Sequence, residues 1–179
     1  MTISLVSEAT TGNSGNADSY TFSPGGRSVS ADGRYVVYES DASDLVAGDA
    51  NGRQDIFLYD TVNDTTTLVS KDTSGGGADS NSYAPSLSAD GRYVVYRSLA
   101  TDLVTGDANS KYDIFLYDRV NDTTTLISKD TSGGGADNHS YAPPPSPPTG
   151  ATWCIPAQPL TWWLAMPTAL QGTFSCTTR

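Results

Sequence analysis

A long internal repeat limits the folds open to this chain. Residues 30–84 align without a gap onto residues 88–142 at an offset of 58 positions, and 44 of the 55 aligned pairs are identical. Residues 5–7 are identical to residues 68–70, at an offset of 63 positions. Self-similarity of this period is typical of proteins that stack copies of one supersecondary unit. The repeat predicts two complete units, preceded by the end of an earlier one.

Each unit contains short β-branched and aromatic runs separated by turn signals. In the first unit we predict strands at 34–38, 55–59, 65–70 and 85–88. Asp32-Gly33 and its copy Asp90-Gly91 suit tight hairpin turns, because glycine accepts a positive φ and aspartate bonds its own backbone. The predicted fold is all-β, with four-stranded antiparallel units. The polar linkers, 41–54 and 71–79, are expected at the rim.

The strands at 34–38 and 55–59 are apolar at both odd and even positions, so neighbouring sheets must cover both of their faces. Radial stacking of four-stranded sheets gives a β-propeller. Ser-Ala-Asp-Gly-Arg-Tyr-Val-Val-Tyr, followed by Asp-Ile-Phe-Leu-Tyr-Asp, resembles the blades of the bacterial TolB-type, WD-repeat-like propeller family. The resemblance covers residues 2–143. It implies a partial propeller that acts as a non-enzymatic binding or scaffolding module for a protein or small-molecule ligand.

The resemblance also implies a periplasmic or extracellular location, although the N-terminal residues show no signal-peptide pattern. The predicted divisions are a terminal strand and linker at 1–29, repeats at 30–87 and 88–143, and a tail at 144–179. Two blades are too few to close a ring. We therefore expect a truncated propeller, and self-association of about three or four copies is a way to complete it.

The tail at 144–179 breaks the pattern. Its only charged side chain is Arg179, and it holds all three Trp, both Cys and seven of the ten Pro. Codons for residues 145–154 can be chosen so that the neighbouring reading frame spells Ser-Leu-Ser-Ala-Asp-Gly-Arg-Tyr-Val-Val, the missing repeat motif. We expect a frameshift-derived tail that is disordered or irregular. A degenerate gene product without selected function is then an alternative to a binding role.

Charge and motif content narrow the functional classes. The formal net charge is −10, which argues against nucleic acid and anionic membranes as partners, since both are bound through positive surfaces. The sequence has no Gly-x-Ser-x-Gly elbow, and its only histidine, His139, is expected to be incidental. The chain is therefore predicted not to be an enzyme, and no cofactor other than calcium is suggested.

An acidic loop in each repeat is the candidate calcium site. Its Asp-x-Asn-x-x-x-Asp spacing places oxygen ligands that Ca²⁺ accepts. The candidate ligands are Asp49, Asn51 and Asp55 in the first repeat and Asp107, Asn109 and Asp113 in the second. Arg53 and Lys111 stand where a third acceptor is usual, and the bidentate Glu of an EF-hand loop is missing. The alternative is a rim loop whose Asp and Asn side chains bond their own backbone.

Overall fold

The computed structural model describes residues 5–21 and 26–141 of the chain. The predicted tail at 144–179 lies outside the described residues, as do residues 1–4 and 22–25 of the segment predicted at 1–29 and residues 142–143 of the segment predicted at 88–143. The described residues form strands and turns with no helix. The strands are β1 (Ser19–Tyr20), β2 (Tyr35–Ser40), β3 (Asp55–Asp60), β4 (Thr65–Leu68), β5 (Ser82–Leu87), β6 (Tyr93–Ser98), β7 (Asp113–Asp118) and β8 (Thr123–Leu126).

The strands form two four-stranded antiparallel sheets, in the orders β1-β2-β3-β4 and β5-β6-β7-β8. Their central pairings match position for position, with Tyr35 opposite Asp60 in the first sheet and Tyr93 opposite Asp118 in the second. The prediction of an all-β fold with four-stranded antiparallel sheets is confirmed. The segment 85–88, predicted as the fourth strand of the first unit, lies instead in β5, because it pairs with β6.

Local chemistry explains the turns. Gly33 and Gly91 follow β-turn aspartates at φ values of 74° and 71°, a region that favours glycine. At the same end of the first sheet, Arg34 donates two hydrogen bonds to the Asp60 carboxylate, which caps the β3–β4 turn by accepting from the Val62 backbone amide. The predicted hairpin positions of the Asp-Gly pairs are therefore correct, and each is reinforced by neighbouring side chains.

The main core lies between the two sheets. One face of the first sheet packs its side chains against the second sheet, and the contributing residues are nearly free of solvent contact. They include Tyr35, Val37, Ile56 and Leu58 from the first sheet and Leu87, Val94, Tyr96, Phe115, Tyr117 and Leu126 from the second. Burying a Val, Leu, Ile or Phe side chain contributes roughly 1.5–3 kcal/mol. This interface is therefore the principal source of stability in the described part of the chain.

The opposite face of the first sheet holds a second, smaller cluster. It consists of Tyr38, Ala42, Leu45, Phe57, Tyr59 and Leu68, with Val6 packed against it. The N-terminal segment thus lies beside the first sheet, and the Thr10 amide donates to the Asp44 carbonyl at 2.9 Å. Thr73 donates to the Asp102 carbonyl at 3.0 Å in the equivalent place on the second sheet.

Within residues 5–21 and 26–141 there is no helix with the length and apolarity that crossing a bilayer requires.

Candidate metal centres

The two acidic loops lead directly into the central strands of the sheets. Each loop turns at a glycine with positive φ, 98° at Gly48 and 97° at Gly106, and then turns inward. Asp49 and Asp107 follow these glycines and are only 3% and 4% exposed. Asp55 and Asp113 are the first residues of β3 and β7 and are fully buried. Each loop therefore places two carboxylates beneath the surface.

Asn51 links the first loop to a segment that follows β4. Its side-chain amide donates to Asp55 Oδ2 at 2.7 Å and to the Ala78 carbonyl at 2.9 Å, while its Oδ1 accepts from the Arg53 backbone amide at 2.8 Å. Asn109 makes the same three bonds in the second copy, to Asp113, the Ala136 carbonyl and the Lys111 amide. The predicted bonding of loop side chains to their own backbone is present at these asparagines.

Asp55 has a partner for each carboxylate oxygen. Oδ2 accepts from Asn51, and Oδ1 accepts from the Ser70 hydroxyl at 2.5 Å. Burial raises the pKa of Asp55 to about 7, an effect that these two hydrogen bonds offset only in part and that the Asp49 charge increases. Asp113 has the same pair of partners, Asn109 and Ser128.

Asp49 and Asp107 differ sharply from these neighbours. Both oxygens of each carboxylate are buried and lack a hydrogen-bond partner among the described residues. Burial raises the pKa of Asp49, and the nearby Asn51 backbone amide, which does not reach hydrogen-bond geometry, offsets this only in part. Burial also raises the pKa of Asp107, and the nearby Asp113 charge raises it further. A buried, unpaired carboxylate is unfavourable unless a proton or a cation neutralises it.

A tight hairpin of residues 71–77 borders the first acidic loop. Lys71 and Gly77 form a bridge at its base, as do Lys129 and Gly135 in the second copy. A β-carbon on Gly77 would overlap the Asn51 amide and lie 3.1 Å from Asp49 Oδ1. Residues 71–79 were expected to form a rim linker, and this role was not predicted from the sequence. The repeated Gly-Gly-Gly-Ala-Asp run, conspicuous in both copies, was the available signal.

The structure brings together the three predicted ligand residues of each loop. They are two aspartates and an asparagine, whose Nδ2 is bonded to the second aspartate. Within the described ranges, no three His, Cys, Asp or Glu side chains converge into a metal-binding group. Each loop instead offers two carboxylates and a backbone carbonyl, which are oxygen ligands of the kind that hard cations prefer, whereas the predicted ligand oxygens of Asn51 and Asn109 are bonded to backbone amides. Arg53 is exposed, and its backbone rather than its side chain contacts the loop.

Neither a protein-family model nor a curated protein matches this chain. The TolB-type resemblance therefore stays a prediction that rests on the repeat motifs themselves.

An aromatic and cationic cluster on the second sheet was not predicted. The Arg97 guanidinium lies 5.6 Å from the ring centroid of Tyr83 and 5.2 Å from that of Tyr112. His139 packs on Tyr112 and accepts a hydrogen bond from its backbone amide at 3.0 Å. The equivalent residues of the first copy are Glu39, Gln54 and Asn81. These differences between the two copies were the available signal in the sequence.

A cleft of about 340 Å³ lies beside the 71–77 hairpin, lined by Lys71, Leu103, Asp122 and Thr124 among others. Lys71 Nζ and Asp122 Oδ1 pair at 2.5 Å. These two charged side chains of the cleft therefore pair with each other.

Proposed function

We propose that this chain is a non-enzymatic binding or scaffolding module, built from two blades of a TolB-type propeller, whose outer sheet face is covered by a further sheet of the same kind. The observation that carries the proposal is the contact between the two sheets. The first sheet presents Tyr35, Val37 and Leu58 to the second sheet, and all three side chains are at most 5% exposed.

The second sheet carries the same residues in the same strand positions on its far side. Tyr93 and Leu116 correspond to Tyr35 and Leu58 through the offset of 58 residues. Tyr93 and Leu116 are half-buried, whereas Tyr35 and Leu58 are 5% and 2% exposed. Val95 and Ile114 on the same face are buried at 1% and 6% exposure, so the far face is less covered only at Tyr93 and Leu116. Apolar residues of a sheet contact that are partly uncovered suit another sheet.

A second copy of this chain is the proposed occupant. The second sheet covers the first with Tyr96, Phe115 and Tyr117. The first sheet carries the equivalent residues, Tyr38, Phe57 and Tyr59, on its opposite face. The first sheet of one copy therefore has the residue types that cover the far face of the second sheet of another. Val6 of the N-terminal segment already packs on this cluster, so the contact requires that segment to be displaced. Head-to-tail contacts of this type close into rings when the rotation between copies permits.

Arg97 makes this far face distinct from the contact within the chain. Glu39, its counterpart, accepts a hydrogen bond from the Ala84 amide across the sheet interface at 2.8 Å. Arg97 cannot accept such a bond, and its Nε is buried without a partner among the described residues. We therefore expect the incoming copy to offer an acceptor at this point, which its excess of acidic residues makes available.

Light scattering during size-exclusion chromatography tests the proposal on the full chain. The expected result is a defined oligomer of about three or four copies of the 18.8 kDa chain. Leu116→Glu should shift it toward monomer, because a charge would be buried in the contact. Val62→Glu, at a side chain that is 69% exposed in the β3–β4 turn, is the matched control and should leave the oligomer intact.

Circular dichroism of the same samples separates loss of assembly from loss of fold. A wild-type monomer that unfolds cooperatively would contradict stacking between copies. A monomer that aggregates and melts without cooperativity would favour the alternative of a degenerate gene product.

A further inference from the structure

Asp49 and Asp107 are buried acids in need of a positive partner. More than nine-tenths of each residue is removed from solvent, and both oxygens of each carboxylate are unpartnered within the described ranges. The ion pairs found in the same part of the chain engage Asp60, Asp118 and Asp122 instead. Folded proteins rarely leave a carboxylate in this situation, because removing its hydration without replacement is costly.

In the second copy, an unpartnered oxygen of Asp107 and the Asn109-bonded oxygen of Asp113 lie close to the same point. In the second copy, a β-carbon placed on Gly135 would lie 2.6 Å from Asp107 Oδ1 and 2.9 Å from Asp113 Oδ2. These two oxygens are therefore at most 2.6 + 2.9 = 5.5 Å apart. A Ca²⁺ ion with ligands at about 2.3–2.6 Å spans oxygens up to about 5 Å apart. The separation is thus compatible with one ion between two carboxylates after a small adjustment.

The asparagine side chain of each loop lies where a cation would also find oxygen ligands. The Asn51 side-chain amide lies between two acceptors, Asp55 Oδ2 and the Ala78 carbonyl, and Asn109 does the same between Asp113 and the Ala136 carbonyl. A position surrounded by oxygen acceptors is one that a cation also favours. The asparagine thus holds the second carboxylate and the carbonyl in place beside the unpartnered first carboxylate.

We propose that each repeat binds one Ca²⁺ ion, held by the carboxylates of Asp49 and Asp55 in the first repeat and of Asp107 and Asp113 in the second. Asn51 and Asn109 position these groups, and the Ala78 and Ala136 carbonyls and water supply further oxygens. The sites lie within single sheets and their own loops, so they are independent of self-association.

The donor chemistry selects among metals. All candidate ligands are hard oxygens, which disfavours zinc and copper, since these prefer histidine and cysteine. An irregular loop with two carboxylates and backbone carbonyls suits the flexible, six-to-eight-fold coordination of Ca²⁺. Mg²⁺ demands stricter octahedral geometry and retains its water. The expected order of affinity is therefore Ca²⁺ above Mg²⁺.

Isothermal titration calorimetry with CaCl₂, on full-length protein stripped by chelator, measures the number of sites. The wild-type chain should bind two ions. Asp49→Asn and Asp107→Asn should each bind one, because each removes one carboxylate from one site. Asp41→Asn is the matched control: it changes the same charge at an exposed position ahead of the first loop and should leave two sites. MgCl₂ should bind at least tenfold more weakly.

Thermal melting gives a second readout that does not depend on binding heat. Ca²⁺ should raise the wild-type midpoint, since a ligand of the folded state stabilises it. In chelator, Asp49→Asn should melt above the wild type, because a buried unpaired charge is removed, and should gain less from Ca²⁺. The proposal is overturned if about 10 mM Ca²⁺, above the roughly 10⁻⁴–10⁻³ M of weak extracellular sites, gives neither heat nor stabilisation. It is equally overturned if Asp49→Asn and Asp107→Asn each retain two sites.

Discussion

Gly91 of the second sheet lies against the aromatic ring of Tyr35 in the first sheet, so closely that a β-carbon at position 91 would overlap the ring. The Arg119 guanidinium covers the same ring at 4.2 Å from its centroid and donates to the Gly91 carbonyl at 3.0 Å. The Asp-Gly turn of one sheet is thereby fitted to its neighbour. Gly33, in the equivalent turn of the first sheet, has no heavy atom within 4 Å of that position.

This difference predicts the cost of substituting the two glycines. Both have positive φ, 71° at Gly91 and 74° at Gly33, so alanine introduces similar backbone strain of about 1–2 kcal/mol at each. Gly91→Ala also collides with Tyr35, which adds about 1–3 kcal/mol. Urea denaturation should show Gly91→Ala destabilised by roughly 2–4 kcal/mol and Gly33→Ala by roughly 1–2 kcal/mol. Equal losses would mean that the sheet contact at Tyr35 is absent in solution.

The arginine–aspartate pairs predict how stability depends on pH. Hydrogen bonds from Arg34 lower the pKa of Asp60, and those from Arg92 lower the pKa of Asp118 to about 2. Because the folded-state pKa values lie below the unfolded value near 3.8, the stabilisation is present above pH 4 and is lost as the pH falls toward 2.

The midpoint of urea unfolding, followed from pH 6 to pH 2, should therefore decrease mainly below pH 4. Arg34→Gln and Arg92→Gln should each flatten this decrease, since each removes the group that lowers a pKa. Arg53→Gln, at an exposed arginine outside these pairs, is the control and should follow the wild type. A profile that is the same in all four proteins would contradict the role of these pairs.

The closing hairpin predicts a selective effect on calcium. Gly77→Ala would place a β-carbon against Asn51 and within 3.1 Å of Asp49 Oδ1, so we expect it to abolish the first site and leave the second. Gly76→Ala meets only ordinary contacts of 3.6 Å or more and should retain both sites. Calorimetric stoichiometry distinguishes the two variants. Two ions bound to Gly77→Ala would show that the hairpin does not border the site.

A strained alanine offers a stabilising substitution. Ala84 has a φ of 52° at an irregularity in β5, where the pairing register shifts between Tyr83 and Ser86. Glycine adopts this conformation without the steric cost of a β-carbon, about 1–2 kcal/mol, although it also increases the entropy of the unfolded chain. Ala84→Gly should therefore raise stability by up to about 1 kcal/mol in urea denaturation. Ala50→Gly, at an exposed residue of normal φ, should be neutral or destabilising.

The strands and turns could be predicted because their causes are local. The runs 34–38 and 55–59 and the Asp-Gly pairs correspond closely to β2, β3 and the turns before β2 and β6. The assignment of strands to sheets was harder to predict from the sequence. Residues 85–88 follow β4 in the sequence, but β5 pairs with β6 across the Asp-Gly turn, and this hairpin defines where the second sheet begins.

The sequence by itself determined the all-β class, the repeat and the identity of the loop acids, because these follow from composition, spacing and copy number. Only the tertiary structure decided that Asp49 lacks a partner while Asp55 has two. That outcome depends on the hairpin at 71–77 crossing the loop more than 20 residues away in the chain. Burial and hydrogen bonding depend on such contacts between segments that are far apart in the sequence, and the residues next to Asp49 in the chain do not reveal them.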